Sequence, residues 1–306
     1  MAVTLSKNVV QLFPTQIGEI SNPLPKLKLL GFHVSSAEAD FLPQGVQNYC
    51  GSQYRINYRE DNLKDLGICK SQYKIIQNKE LYNLAGKALQ ESAPARALSS
   101  AQVQEKSSNG GARSFFDISF PELTMDLQQL KGTSTGLMFR ILGWNSFDGS
   151  SPVRFSSGAI DQYCSNGMLW GDFSVFGARH TQGFDSKHLE NFFAASFSDF
   201  QQKIIGLRQE ATKHLELEDA RNFLAKKFSK ALADKLVERF VVESIDRGQS
   251  VWALRSALTF YASHNSANFS IRSTGNDHSA STLYSREEEI RKIVNSSEFK
   301  DLAFAA

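Results

Sequence analysis

Asn145, Asp148, Cys164, Asn166 and His180 are residue types that catalyse when they meet: a thiol to attack, an imidazole to take its proton and a carboxylate to orient the imidazole. No nucleophile-elbow signature surrounds Cys164, so a Cys164–His180 dyad rests on residue type alone. Asp148 stands in Phe147-Asp-Gly-Ser-Ser151, where aspartate serves as a turn residue before it serves as an acid. Cys164, His180 and His188 fit none of the common zinc spacings, and the Gly-x-x-x-x-Gly-Lys-Ser/Thr order of a phosphate loop is missing. The chain is therefore expected to carry no catalytic centre, metal or cofactor.

A second chemistry is carried by cations beside aromatic rings. Arg55 and Arg59 alternate with Tyr54 and Tyr58, and Arg140 and Arg154 stand close to Phe139, Trp144 and Phe155. Arg179 precedes His180. Guanidinium groups contact phosphates while ring faces stack on unpaired bases, the combination that single-strand binders use. Lys226, Lys227 and Lys230, on an expected helix from Arg221 to Arg239, add groups for backbone phosphates. The alternative for these residues is ordinary: the rings belong to a core, the arginines are solvated or paired, and Asp234 and Glu238 make the lysine face a mixed-charge one.

The elements that must position these groups follow from periodicity. Pro14, Pro23, Pro25 and Pro43 predict an extended arm over residues 1–45. A mixed α/β body is expected over 46–182. Gln53–Tyr58 and Tyr73–Gln77 suit strands, and Leu81, Leu84, Ala85, Ala88 and Leu89 predict a helix over Asn78–Leu89. Ser92–Arg113, rich in Ala, Ser, Gln and Gly, is expected to be a loop. Phe115–Met125, Leu137–Trp144 and Val153–Phe155 suit strands, with Pro121 placing the first at an edge or splitting it. Asp148-Gly149 between β-prone runs is a hairpin turn.

Residues 183–306 are expected to be helical. Leu189, Phe193, Phe197, Phe200, Ile204 and Leu207 step by three or four, and Leu224, Phe228, Leu232, Leu236 and Phe240 step by four. Ser250 is placed to cap a helix holding Trp252, Leu254, Leu258 and Tyr261, and a last short helix is expected to start near Ser285. The fold class is α+β: an antiparallel β-sheet body with packed helices, followed by a mainly helical C-terminal region.

Composition bounds these readings. With 41% hydrophobic and 22% charged residues in 306, the chain can build a sizeable core. Its net charge of +2 means that binding to nucleic acid would need a local patch. Three widely spaced cysteines argue for a reducing compartment. The absence of a secretory pattern or a long apolar run gives the expectation of a cytoplasmic protein that does not enter membranes.

Short segments in a shared order then become informative: Tyr73-Lys-Ile-Ile-Gln-Asn78, Asn145-Ser-Phe-Asp-Gly-Ser150, Tyr163-Cys-Ser-Asn-Gly-Met168, Ala178-Arg-His-Thr181 and Trp252-Ala-Leu-Arg-Ser-Ala-Leu-Thr259. In order and spacing they resemble the phage- and plasmid-borne family built around the domain of unknown function DUF932. Tyr73, Gln77, Asn78, Asn145, Asp148, Gly149, Cys164, Asn166, His180 and Trp252 are the positions that carry the likeness. The resemblance implies a mobile-element origin, in a bacterial host cell, and supplies no established reaction. In outline, strands followed by helices are similar to ring-forming annealing proteins of the Rad52-like type, an analogy at fold level.

The expectation is a single-stranded nucleic-acid-binding protein of a phage or plasmid, a DNA-annealing recombination protein that oligomerises. Its partners would be single-stranded DNA, further copies of itself, and host or phage recombination proteins. Two alternatives stay open: a protein–protein module that inhibits or recruits a host factor, and an enzyme using the Asn145, Asp148, Cys164 and His180 region.

Overall fold

A computed structural model describes residues 22–38, 54–132, 134–161, 175–181, 186–264, 269 and 279–304. The fold is α+β, with two antiparallel sheets and helices filling its C-terminal part. The chain forms two compact units: Met1–Ser119 with Ile141–Ser156 and Val175–Ala194, and Phe120–Arg140 with Ser157–Ser174 and Ala195–Ala306. Among the described residues no helix is long and apolar enough to cross a membrane.

The first unit opens with a three-stranded antiparallel sheet, β1 (Val34–Glu38), β2 (Tyr54–Arg59) and β3 (Asp65–Lys70), with β2 in the centre. Alternation sorts its side chains into two faces. Val34, Ser36, Asn57 and Cys69 share one face and are buried, and Val34, Leu66 and Cys69 pack with Tyr73, Ile75 and Phe147. Tyr54, Ile56 and Tyr58 fall on the other.

Tyr73–Gln77 is not a strand, contrary to its β-prone composition: apart from a single bridge at Ile75 the segment is irregular, and its main chain is met partly by the His180 carbonyl and partly by the Asn145 and His180 side chains. Helix α1 follows at Asn78–Ser92 with Leu81, Leu84, Ala85, Ala88 and Leu89 buried, as its periodicity predicts. The residues before β1 lie along it and β4. Asn22 Nδ2 donates to Asn83 Oδ1 at 3.0 Å, and the Tyr82 hydroxyl donates to the Pro25 carbonyl at 2.6 Å.

The expected loop over Ser92–Arg113 is overturned. It holds the end of α1, a short helix α2 (Ala95–Ser99) and strand β4 (Gln102–Ser108), which pairs over its whole length with Arg113–Ser119 of β5. β4 is the edge of the second sheet, so its outward positions are polar and its alternation of Val103, Glu105 and Ser107 is masked by Gln, Lys and Ser. The Glu105 carboxylate then accepts the N–H groups of Lys28, Leu29 and Leu30 at 2.7, 2.9 and 2.8 Å, fastening the preceding chain to the edge.

The second sheet runs β4-β5-β6-β7-β8, with β5 Arg113–Leu127, β6 Thr135–Ser146, β7 Val153–Asp161 and β8 Val175–Ala178. Pro121 is tolerated because pairing with β4 ends at Ser119, so its missing N–H costs no bond to that strand. Asp148-Gly149 turns the chain from β6 to β7, with Gly149 at φ 72°.

In the second unit Phe139 meets Phe120, Phe197 and Phe200 with ring centroids 4.7–5.6 Å apart. Its helices are the greater part of α3 (Ser186–Thr212), then α4 (Leu217–Lys227), α5 (Lys230–Arg247), α6 (Val251–Ser263), α7 (Ser279–Val294) and α8 (Ser297–Phe304). The single helix expected through Leu224 and Phe240 is two. Phe228 is extended at φ −130° and ψ 161°, ending α4, and Ser229 takes the N-cap position of α5. The four-residue step survives the break because Leu224, Phe228, Leu232, Leu236 and Phe240 all pack in one core. Ser250 caps α6 as expected, accepting from the Ala253 N–H at 3.2 Å. The last two helices differ from expectation: α7 begins at Ser279, and Ser285 lies inside it with its hydroxyl bonded to the Ser281 carbonyl.

Candidate functional site

Most of the polar motif residues of the first unit come together around the irregular Tyr73–Gln77 segment. Asn145, on β6, donates through Nδ2 to the Ile76 carbonyl at 2.7 Å and to Asn78 Oδ1 at 3.0 Å, and Asn78 donates to the Ser114 hydroxyl at 2.9 Å. Gln77 acts as a strand partner for Val34: its oxygen accepts the Val34 N–H at 3.1 Å and its Nε2 donates to the Val34 carbonyl at 2.7 Å. Lys74 and His180 exchange bonds, N–H to the His180 carbonyl at 2.6 Å and imidazole Nδ1 to the Lys74 carbonyl at 3.0 Å. The Tyr73 hydroxyl donates to the Ser146 carbonyl at 2.5 Å.

Asp148 holds its own turn by accepting the Ser150 N–H at 2.9 Å, and its second oxygen takes Arg113 Nε at 3.0 Å. β3 must offer glycine here, since a Cβ on Gly67 would lie 2.8 Å from the Asp148 Cα. These amide and carboxylate groups are thus committed to holding main chain and turn, the structural use that Asn and Asp have in such motifs.

Burial sets the protonation states. His180 is 4% exposed, and desolvation takes its pKa down to about 4 against the opposing pull of the Lys74 carbonyl and Asp148. The ring is neutral, and because Nδ1 faces a carbonyl the proton sits there, leaving Nε2 an acceptor with no hydrogen-bond partner among the described residues. Cys69, which Asn57 Nδ2 approaches at 3.4 Å, is pushed up to about 11 by burial and then by Asp148, so it stays a thiol. Burial likewise raises the Tyr73 phenol far above its ordinary value. Cys164 and Asn166 lie outside the described residues.

The cationic candidates divide. Arg140 is 3% exposed and paired with Glu287 at 3.4 Å, and Trp144 is 2% exposed, so the expected phosphate contact and stacking ring are both core residues. The reason is the continuous apolar run of β6, buried along most of its length. Trp252 is fully buried in α6. Arg154 lies over the Trp144 ring at 5.5 Å, Arg55 bonds Ser36 and Glu38, and Arg59 bonds Asp61. Lys227 pairs with Glu298 at 3.2 Å. Arg179, Lys226 and Lys230 are exposed. Arg55, Arg59, Trp144, Arg154 and Arg179 belong to the first unit, and Arg140, Lys226, Lys227 and Lys230 to the second.

The open face of the three-stranded sheet gathers what remains. Tyr54, Ile56 and Tyr58 project from β2, opposite Lys70, Ile68 and Asp65 of β3. Tyr54, Ile56 and Tyr58 are half-buried, Lys70 is exposed, and Ile68 is 55% exposed. Four residues at about 3.3 Å each set Tyr54 and Tyr58 about 13 Å apart along the strand. Two flat rings on an open antiparallel sheet, with apolar side chains between them and an ammonium at one end, can stack unpaired bases and hold a phosphate. The tyrosines were legible in the alternation of β2. Ile68 and Lys70 were not, because Gly67 interrupts the β-prone pattern of β3.

The family model for a domain of unknown function, DUF932, matches residues 65–289. The match begins at β3 and takes in the polar motif from Tyr73 to Trp252, while Tyr54 and Tyr58 precede it. No curated protein and no solved structure matches the chain.

Proposed function

The chain belongs to the family described as domain of unknown function DUF932, and from that footing we propose that it binds single-stranded nucleic acid on the open face of β1–β3. The observation that carries this reading is that Tyr54 and Tyr58 share one face of the central strand, half-buried, with Ile56 and the exposed Ile68 between them and the exposed Lys70 at the Tyr54 end. A duplex hides its base faces inside the stack, so such a platform favours an unpaired strand. The polar motif behind the sheet has a supporting role: Asn57 donates to the Phe147 carbonyl at 2.7 Å and Gln77 clasps β1, so the motif holds the platform in place.

In this reading the protein acts in a phage or plasmid, in the cytoplasm of the host cell, as an annealing protein whose copies align their strands, beside host or phage recombination proteins. The outer face of α5 supports assembly: Val241, Val242 and Ile245 are 46%, 49% and 60% exposed, an apolar strip of the kind that associations cover. The same strip favours a second reading, a module that captures a host protein. A partner that survives nuclease treatment in a pull-down and is lost from Val242→Glu would support it.

Fluorescence anisotropy with a labelled fifteen-nucleotide dT strand and a matching duplex, at two salt concentrations, tests the first reading. The wild type binds the single strand more tightly, and Tyr54→Ala with Tyr58→Ala weakens it by about tenfold or more, given about 1–3 kcal/mol per stacked base. Equal and negligible binding to both strands overturns it.

A further inference from the structure

Strand β3 does not pair evenly with β2. Ile56 pairs with Ile68 and Asn57 with Gly67, but Tyr58 pairs with Asp65, so three residues of β3 lie against two of β2. A bulge of this kind re-aims the side chains beyond it. Even pairing would set Leu66 beside Tyr58 on the open face. The bulge instead sends Leu66 to the packed side, where it is 6% exposed among Val34, Cys69 and Phe147, and it turns the exposed Asp65 toward Tyr58.

The other acids of this sheet and its turn are occupied: Glu38 by Arg55, Glu60 by Ser35 and His33, and Asp61 by Arg59. The Asp65 carboxylate enters no hydrogen bond or ion pair among the described residues. On the β1 side, Tyr58 pairs with Ser35, whose hydroxyl donates to Glu60. Tyr58 therefore stands between a committed hydroxyl and an uncommitted carboxylate.

Directly opposed residues of an antiparallel pair set their Cβ atoms about 5 Å apart. A base laid on the Tyr58 ring thus brings its edge within reach of Asp65. An ionised carboxylate only accepts, so it repels a phosphate and attracts N–H groups. The face has two unlike ends: Lys70 for a phosphate beside Tyr54, and Asp65 for donors beside Tyr58.

In an unpaired strand the pairing edge of each base is open to such a contact. Guanine alone offers two adjacent N–H donors there, on N1 and N2, which two carboxylate oxygens accept together. Adenine and cytosine offer one amino group beside a ring nitrogen whose lone pair the carboxylate repels. Thymine offers one N–H between two carbonyls.

We propose that Asp65 reads the base stacked on Tyr58, and that the base it selects is guanine. The assignment rests on the proposed binding of single strands and adds a base preference to it.

Anisotropy with fifteen-nucleotide strands tests it, using all dT, or dT with one central dG, dA, dC or deoxyinosine. The wild type binds the dG strand about fivefold or more tightly than the dT strand, the lower end of what a bidentate base contact gives. Deoxyinosine, which lacks the N2 amino group, loses most of that gain in the same unaltered protein. Asp65→Asn, an exposed change, still binds dT but loses the preference, because its amide meets one of the two guanine donors with a donor of its own. Removal of a negative charge alone would tighten every strand alike, so the ratio between strands decides. If the wild type binds dT and favours no dG, or if Asp65→Asn keeps the preference, the assignment is wrong and single-strand binding stands. If the wild type binds none of the strands, that binding falls and the assignment falls with it.

Discussion

The Tyr73 ring lies on the His180 imidazole, with centroids 4.6 Å apart and planes within 17° of parallel. Lys74, next to Tyr73, and His180 also exchange main-chain and imidazole bonds, so the irregular 73–77 segment is fastened to the chain following β8 by a stack and two hydrogen bonds. This clasp joins two parts of the family motif that are far apart in sequence.

The clasp is acid-labile. His180 titrates at about 4 in the fold against an ordinary value of 6.5, so between those values the unfolded chain binds the extra proton and stability rises with pH. The contribution is complete above pH 6.5 and is lost as pH falls toward 4. About 2 kcal/mol of stability disappears between pH 8 and pH 5. Urea unfolding across this range should show the slope, and His180→Gln should flatten it; an unchanged slope in that variant would assign the acid sensitivity elsewhere.

Asn145 is a clamp, not a reactive amide. Replacing it with Ala leaves the buried Ile76 carbonyl and Asn78 side chain short of a donor, which costs about 2–3 kcal/mol. Chemical denaturation of Asn145→Ala gives the loss directly, and a change below about 0.5 kcal/mol would contradict the clamp.

In the second unit, Arg247 joins Asp161 at 3.0 Å, Glu243 at 3.0 Å and Gln129 at 2.9 Å, in a site where the Asp161 side chain is fully buried. Arg247→Met strands the buried Asp161 carboxylate, while Glu243 keeps Arg239, and a loss of about 3–5 kcal/mol follows. The stability loss in this variant should also become less severe at acid pH, where the stranded Asp161 carboxylate takes up a proton; an equal loss at all pH values in thermal unfolding would point to packing alone.

Much of the fold is legible in the sequence. The spacing of Leu81 to Leu89, the Asp148-Gly149 turn and the Ser250 cap each state a local rule that the fold obeys. β4 is concealed because an edge strand keeps polar residues outward, and the break at Phe228-Ser229 is concealed because both helices feed one core at the same spacing. The charged candidates diverge for a related reason. A strand buried on both faces can still carry Arg140 when Glu287, distant in sequence, arrives to pair with it.

By itself the sequence determined the α+β class, the family, and the residues of the polar motif, because periodicity, turn chemistry and motif order are local and additive along the chain. Only the tertiary structure decided which of those residues are clamps, which arginines and aromatics are core, and that Tyr54 and Tyr58 share an open face. Exposure and pairing depend on what packs against a residue from elsewhere in the chain, and one-dimensional spacing does not carry that information.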